Sequence, residues 1–504
     1  MGETDGLKAL VGALRENELG LITGVYGDPC TVLLDELART GLHVEISVEE
    51  KTALAQALGA SVAGVRAAVV IKQVGANVAS DPLVGATTHG SGAGLLVVVG
   101  DDPGAQKSTV ELDSRWYALL SELPVLTPQD PAHLARSVRE GIELSEQLGL
   151  PVLMQITARL LGSKGSAALP DSRARTRGQF ERGRAWDRLV LERYQYFYQK
   201  IQPEMQAQVE RSELHRISRG PAKEGVISCG FVSSLVGHEN HFALGYAHPL
   251  PQARLSEFMR PLQRVLVVEE VAPIIERAAQ ALVGLAQHET EIIGRLSGHL
   301  PRFGGLEREQ IEAAWQRQPQ GPDLRVQAQP NSSIMELPCG GFEPLYRALA
   351  ELLPEGYPVA GDVGCSILHG YFPPKIITTA YGLGTSIATA GGLSLAGQKG
   401  IAIIGDTGFV HSGITALLNA VEQRHNLLVI VLSNGISAMT PGAQAIPGLE
   451  RIAELARACG ATEVEQLQLA QTGPSELSAK LKRHLDQPGV QVLLIRAQAT
   501  RLSG

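Results

Sequence analysis

GDTGFVHSGITALLNAVEQRHNLLVIVLSNGISAMTPGAQ, residues Gly405 to Gln444, is the stretch whose reading decides the fold. The run leading into it, Gly400-Ile401-Ala402-Ile403-Ile404, has the continuous apolar character of a strand buried on both faces of a parallel sheet. Gly405-Asp406-Thr407-Gly408 ends that strand, and its glycines let the backbone turn sharply beside a ligand. Apolar Ile414, Leu417, Leu418 and Val421 then repeat at helical spacing. A second buried strand, Leu427 to Leu432, ends in Ser433-Asn434-Gly435. Parallel strands joined by a crossover helix open on one sheet edge. Asp406 and Asn434, 28 positions apart, are therefore expected to meet there. The plainer alternative is a crossover in which Asp406 only caps its helix.

A carboxylate and an amide carbonyl brought together are hard oxygen ligands. They suit Mg²⁺, or Ca²⁺, holding a diphosphate, and do not suit zinc or copper. Gly-Asp followed within thirty residues by Asn, in strand–turn–helix–strand order, resembles the metal turn of thiamine-diphosphate enzymes.

The 504 residues leave room for about three domains of roughly 150 residues. Forty-four per cent hydrophobic and 19% charged residues describe a soluble globular chain. A net charge of −8 points to neither nucleic acid nor an anionic membrane as a partner. The acidic start, Met1-Gly2-Glu3-Thr4-Asp5, is neither a signal peptide nor an anchor, and a cytoplasmic location is expected. Cys30, Cys229, Cys339, Cys365 and Cys459 form no CxxC pair. They read as thiols of a reducing compartment, not as a disulfide framework.

From the N-terminus, strand-like and helix-like patterns alternate. Leu21 to Val25 and His43 to Val48 read as strands, as do Ala67 to Ile71, Leu95 to Val99 and Leu150 to Ile156. A helix from Lys51 to Val65 is expected, with Leu54, Ala55, Leu58 and Val62 on its apolar side. Together these define a doubly wound α/β domain over residues 1–165. Residues 166–220 form a linker or helical arm. Arg173, Arg175, Arg177, Arg182, Arg184 and Arg188 lie in it, read as a solvated linker or subunit-facing arm with a specific anion site as the alternative, before an amphipathic helix over Leu189 to Leu191 and Tyr194 to Tyr198. Strands reappear at Val226 to Cys229 and Arg264 to Glu269, with a helix from Pro273 to Ala286, in a middle domain over 221–330. The third domain covers 331–504.

Thiamine diphosphate also needs a carboxylic acid on its pyrimidine ring, which makes the ring's amino group basic enough to deprotonate C2. Such an acid must be partly desolvated and able to exchange a proton. Glu50, in Ile46-Ser47-Val48-Glu49-Glu50-Lys51, lies at a strand-to-helix junction of the right kind. On spacing alone, Glu49 and Glu50 read equally well as acidic residues of a first helical turn.

A wider resemblance bears on that choice. Residues 47–54 with 57–61, 72–83, 101–103 and 113–115 resemble the large subunit of indolepyruvate ferredoxin oxidoreductase. So do HPLP (248–251), VLVVEE (265–270) and GHLP (298–301), and then GDVGC (361–365), GLGTSIA (382–388), GDTGFVHSG (405–413) and AMT (438–440). The likeness runs in order from about Leu21 to Leu467. It implies three parallel-sheet domains: pyrimidine-binding, transketolase C-terminal-like and diphosphate-binding. It makes Glu50 the pyrimidine-activating acid, and Asp406, Asn434 and the backbone carbonyl of Ile436 the metal ligands. Gly361, Asp362, Gly364, Cys365, Gly405 and Gly408 then lie beside the cofactor, with Leu383 as the apolar wedge that keeps it bent. His411 becomes a candidate for substrate contact or proton transfer, against the alternative that it caps its helix. His89, His299 and His369 are weaker candidates. The resemblance also implies a homodimer, each site drawing Glu50 and Asp406 from different chains.

Three departures qualify this. The family carries Cys-Pro-Gly-Cys-Pro-His-Arg at the start of the third domain, where this chain has Leu337-Pro338-Cys339-Gly340-Gly341-Phe342-Glu343. No cysteine follows Cys459, so no iron–sulfur cluster, with its roughly four thiolates, is expected. Gln73 stands where the family has histidine. The expected function is decarboxylation of a 2-oxo acid, an aryl pyruvate by resemblance, through a C2 adduct and its enamine. Aldehyde release or carboligation is the expected outcome. The alternative is an oxidoreductase subunit passing electrons to a small partner subunit.

Overall fold

In the computed structural model, which describes residues 3–166, 170–287, 289–316, 341–436 and 447–498, the apolar runs form three parallel-dominated sheets. The chain divides into two compact units, Met1–Gln327 and Ala328–Gly504.

The first unit holds two of these sheets. One has seven strands in the order Tyr246–His248, Val125–Leu126, Val152–Thr157, Leu95–Asp101, Ala67–Lys72, Leu21–Gly24, Val44–Ile46. All neighbours are parallel except Tyr246–His248, which comes from the 221–330 stretch and pairs antiparallel with Val125–Leu126. The other has five strands in the order Glu291–Ile293, Arg264–Val268, Glu224–Cys229, His241–Leu244, Arg216–Ser218, the last of them antiparallel. The second unit carries five parallel strands in the order Val359–Gly361, Gly400–Gly405, Leu427–Ser433, Val490–Arg496, Glu463–Gln468. Ile401, Ile403, Leu428 and Ile430 are fully buried, as strands covered on both faces require. Truncating any of them to Ala should cost about 2–5 kcal/mol.

Some expectations are corrected. The helix near Glu50 spans Glu50–Val62 and buries Ala53, Leu54, Ala57 and Ser61, while Ala55 and Val62 face solvent. Its partner is the helix Gln73–His89, whose buried side carries Gly75, Ala76 and Ala79. Two helices with small residues in contact approach closely, so backbone proximity and not side-chain bulk sets the buried face. Leu418 is exposed, and Ala420 takes the inward position.

The arginine run is not wholly solvated. Arg173 and Arg177 pair with Glu18 at the surface, but Arg184 is buried and donates to the carbonyls of Leu148, Gly149 and Thr87. Cys30, Cys229 and Cys459 are free, but Cys365 is disulfide-bonded, because separation along the chain does not report proximity in space. The Leu337 to Gly340 stretch, with Cys339, and the Ala438 to Thr440 motif lie outside the described residues.

Candidate active site

In the second unit Gly405 pairs in register with Leu432, so both strands release their chains at the same edge. Asp406 opens a short helical turn, Asp406–Gly408, that continues as a π-helix over Phe409–Gly413 and an α-helix over Ile414–Glu422. Its carboxylate is buried. Oδ1 accepts a hydrogen bond from the Thr407 amide (2.7 Å) and Oδ2 one from the Gly435 amide (3.1 Å). Asn434 Oδ1 accepts from the Ile436 amide at 3.2 Å. The structure therefore brings the two expected ligand segments together. Gly435 has φ +75°, a left-handed conformation that favours glycine and lets this turn close on Asp406. Burial raises the Asp406 pKa, and the Gly435 and Thr407 amides oppose the rise.

A second strand end lies in the same unit. Asp362 follows the strand Val359–Gly361 and is fully enclosed; it accepts from the Gly384 amide (2.7 Å) and the Ser386 amide (3.1 Å). Burial lifts its pKa to about 6, against those amides and the nearby His411. Gly408 touches both loops. A Cβ there would stand 2.8 Å from Asp362 Oδ1 and 3.3 Å from Leu383 Cδ1. Gly361 has no room for a side chain, since a Cβ would lie 2.5 Å from Ile377 Cγ2. Gly364 has φ +148° and leads into the helical turn Cys365–Ile367. His411 lies inside the π-helical segment, bonded through Nδ1 to Ser412 Oγ, and so does not cap a helix start. π-Turns of this kind recur at functional sites.

In the first unit the two adjacent glutamates separate cleanly. Glu49 is the N-cap of Glu50–Val62, and its carboxylate accepts from the Thr52 amide (3.1 Å) and hydroxyl (2.7 Å). Glu50 is the first helical residue and is buried at 6% exposure, against the helix Gln73–His89. A Cβ on Gly75 would stand 2.4 Å from Glu50 Oε1. Gln73, at the start of the same helix, is buried. Its Nε2 donates to Ser108 Oγ (3.1 Å), and that hydroxyl donates to Asp102 Oδ2 (2.6 Å). Gln73 Oε1 has no hydrogen-bond partner among the described residues. The weaker histidine candidates have structural surroundings: His89 meets Arg193 and Trp186, His299 meets Ser297, and His369 stacks on Tyr346.

Sequence reasoning missed a buried charge cluster joining the two sheets of the first unit. Arg115 reaches Asp113 at 2.6 Å and Glu269 at 2.8 Å, and Asp113 Oδ2 accepts from the Ala272 amide at 3.1 Å. Asp101 lies beside it with Oδ2 bonded to the Ser114 amide and Gln155, while Oδ1 is buried without a partner among the described residues. Burial and the Asp113 carboxylate push Asp101 up to about 7. The available signal was a carboxylate at the end of each of two apolar runs, Asp101 closing Leu95–Asp101 and Glu269 following Arg264–Val268. A second acidic group in the second unit, Glu463, Glu465 and His484, has ligand atoms within 4.8 Å of one another. Lys480 and Arg483 already neutralise both carboxylates, so it reads as an ion-pair network.

Asp406 and Asn434 bring hard side-chain oxygens to one sheet edge, Ile436 follows in the same turn, and a Cβ on Gly405 or Gly435 would meet nothing within 4 Å, so the residues present fit a metal-held diphosphate. Residues 362–495 match the family described as "Thiamine pyrophosphate enzyme, C-terminal TPP binding domain". Fold, site and match together define the class: an α/β thiamine-diphosphate enzyme. The chain is 32% identical to the indolepyruvate oxidoreductase subunit IorA of Methanothermobacter thermautotrophicus, over 99% of this chain and 87% of that one. It is 29% identical to IorA of Archaeoglobus fulgidus, over 94% and 81% respectively. The chain belongs to the IorA family of indolepyruvate oxidoreductase subunits. A solved 2-oxoglutarate:ferredoxin oxidoreductase from Magnetococcus marinus is similar at 14% identity and TM-score 0.48, covering 62% of this chain and 65% of that one. No helix among the described residues is long and apolar enough to cross a membrane.

Proposed function

We propose that this chain decarboxylates a 2-oxo acid with thiamine diphosphate and Mg²⁺ and releases an aldehyde or a carboligation product. The observation that carries the reading is the meeting of Asp406 with the Asn434–Ile436 turn. Asp406, the Asn434 side-chain carbonyl and the Ile436 backbone carbonyl would hold the metal. A Cβ on Gly405 would meet nothing within 4 Å, so its backbone leaves room for a diphosphate, and Gly361, Gly364, Cys365 and Gly408 would lie beside the cofactor. When bound, thiamine diphosphate supplies a nucleophilic carbon and an electron sink for loss of CO₂.

Glu50 would hold the pyrimidine ring and exchange a proton with it, and its burial would limit competition from water. Leu383, packed against Gly408, would be the apolar support for the cofactor. His411, buried in the π-helical segment after the metal turn, would contact substrate or move a proton there. The proposal includes a homodimer and needs no iron–sulfur cluster; sedimentation and iron analysis of anaerobic protein check these two parts.

A second reading is supported by the relatives, which are oxidoreductase subunits. In it, the same residues serve an oxidation of an aryl pyruvate whose electrons pass to a partner subunit. Product analysis after anaerobic incubation with several 2-oxo acids, with and without an electron acceptor, separates the two. Aldehyde or acyloin without acceptor supports the first, and turnover only with acceptor supports the second. No turnover of any 2-oxo acid under either condition overturns both.

A further inference from the structure

Resting on the reading of the second unit as the diphosphate-holding half, we propose that Asp362 is a positioning residue. It pins the Leu383 loop onto the metal turn through two backbone amides and does not itself touch the cofactor. Its side chain is 0% exposed, and each carboxylate oxygen accepts from one loop amide, Oδ1 from Gly384 and Oδ2 from Ser386. Its own peptide is tied as well: the Asp362 amide donates to Ser366 Oγ (3.1 Å), and that hydroxyl donates to the Asp362 carbonyl (2.8 Å).

The loop it holds is seated against the metal turn. Gly384 has φ +79°, and a Cβ there would stand 2.5 Å from Ser412 Cβ and 3.1 Å from the Gly408 carbonyl. Leu383 Cδ1 and Asp362 Oδ1 both lie against the bare Cα of Gly408. Three segments, 361–365, 382–386 and 405–413, thus converge with glycine at each contact. Asp362 joins two of them by side-chain hydrogen bonds and lies against the third at Gly408. A carboxylate suits this role because it presents acceptors only, matching two N–H groups. An amide in its place keeps one acceptor and sets an NH₂ group against the other N–H. The loop would then lift and Leu383 would move with it, and a displacement of about 1 Å in such a support costs on the order of 10²-fold in rate.

The test has two arms. In the cofactor-free wild-type protein, the amides of Gly384 and Ser386 should be protected from hydrogen–deuterium exchange, and Asp362→Asn should expose them. Unprotected wild-type amides overturn the proposal, and this arm does not depend on any cofactor. In the second arm, C2 hydrogen exchange is measured at saturating thiamine diphosphate and Mg²⁺, with affinity followed by calorimetry. Asp362→Asn and Leu383→Ala should each slow exchange by about 10²-fold while retaining affinity, and the double variant should be no slower than the slower single. Multiplying effects, or loss of cofactor affinity in Asp362→Asn alone, overturn the proposal. If Asp362→Asn does not fold, Gly384→Ala unseats the same loop from its other side; it should slow exchange equally, and normal exchange in it overturns the proposal. Wild-type protein that binds no thiamine diphosphate sinks the parent reading instead.

Discussion

Glu50 rests against the bare backbone of Gly75: the position a Cβ would take there is 2.4 Å from Glu50 Oε1, 2.6 Å from Cγ and 2.7 Å from Cδ. The carboxyl is thus placed by the absence of a side chain on the neighbouring helix, and its location can be disturbed without changing Glu50 itself.

Gly75→Ala should push the Glu50 carboxyl from its seat. Helix propensity favours Ala by roughly 0.5–1 kcal/mol, while overpacking costs about 1–3 kcal/mol, so the net loss of stability should be small. Activity should fall far more, by about 10²-fold for a misplacement near 1 Å. Steady-state kinetics beside thermal melting checks this, and a variant with full activity would show that the carboxyl position is not critical.

Exchanging each of the two adjacent glutamates for glutamine should give opposite results. Glu50→Gln keeps the shape but cannot relay a proton, so C2 exchange should slow by about 10²–10⁴-fold with cofactor affinity little changed. Glu49→Gln keeps an acceptor for the Thr52 amide and should lose only a few tenths of a kcal/mol and no activity. If Glu49→Gln proves to be the slow variant, the roles are reversed.

The strand–turn–helix–strand unit around Asp406 was legible because every signal in it is local: apolar runs, a glycine turn and helical spacing. Glu50 was legible only as a junction residue, and its separation from Glu49 needed the cap geometry. Arg184 was misread because its partners, the carbonyls of Leu148, Gly149 and Thr87, are remote in sequence. The buried face of Glu50–Val62 was misread for a related reason, since a partner helix with Gly75, Ala76 and Ala79 selects it. Asp362 could be placed near the site but not given a task, because its partners at 384 and 386 become neighbours only on folding.

Asp101 supplies a pH prediction for the first unit. Its pKa is raised in the folded protein to about 7, from the ordinary aspartate value, so between about pH 4 and 7 the folded state binds a proton that the unfolded state has released. Stability from this group is therefore full below the unfolded pKa and is lost as pH rises through 7. Asp101→Asn mimics the neutral form, since its oxygen can still accept from Ser114 and Gln155. The difference in melting temperature, variant minus wild type, should grow in favour of the variant from pH 5 to pH 8. A flat difference would show that Asp101 stays ionised throughout.

The metal assignment turns on Asp406, and two substitutions separate its charge from its hydrogen bonds. In the cofactor-free protein its carboxylate accepts from the Thr407 and Gly435 amides, so Asp406→Ala leaves two buried donors unsatisfied, at a cost of about 1–3 kcal/mol each. Asp406→Asn can still accept one of these bonds and should melt closer to wild type. Neither variant has the charge needed to hold a divalent cation beside a diphosphate. Calorimetry should therefore show both losing the Mg²⁺-dependent part of thiamine diphosphate affinity, although they differ in stability. Asn434→Ala removes a neutral candidate ligand and should weaken that part less than either. If Asp406→Asn binds cofactor as wild type does and still responds to Mg²⁺, the metal is held elsewhere. Loss of affinity in Asp406→Ala alone would reduce the role of Asp406 to fastening the Gly435 turn.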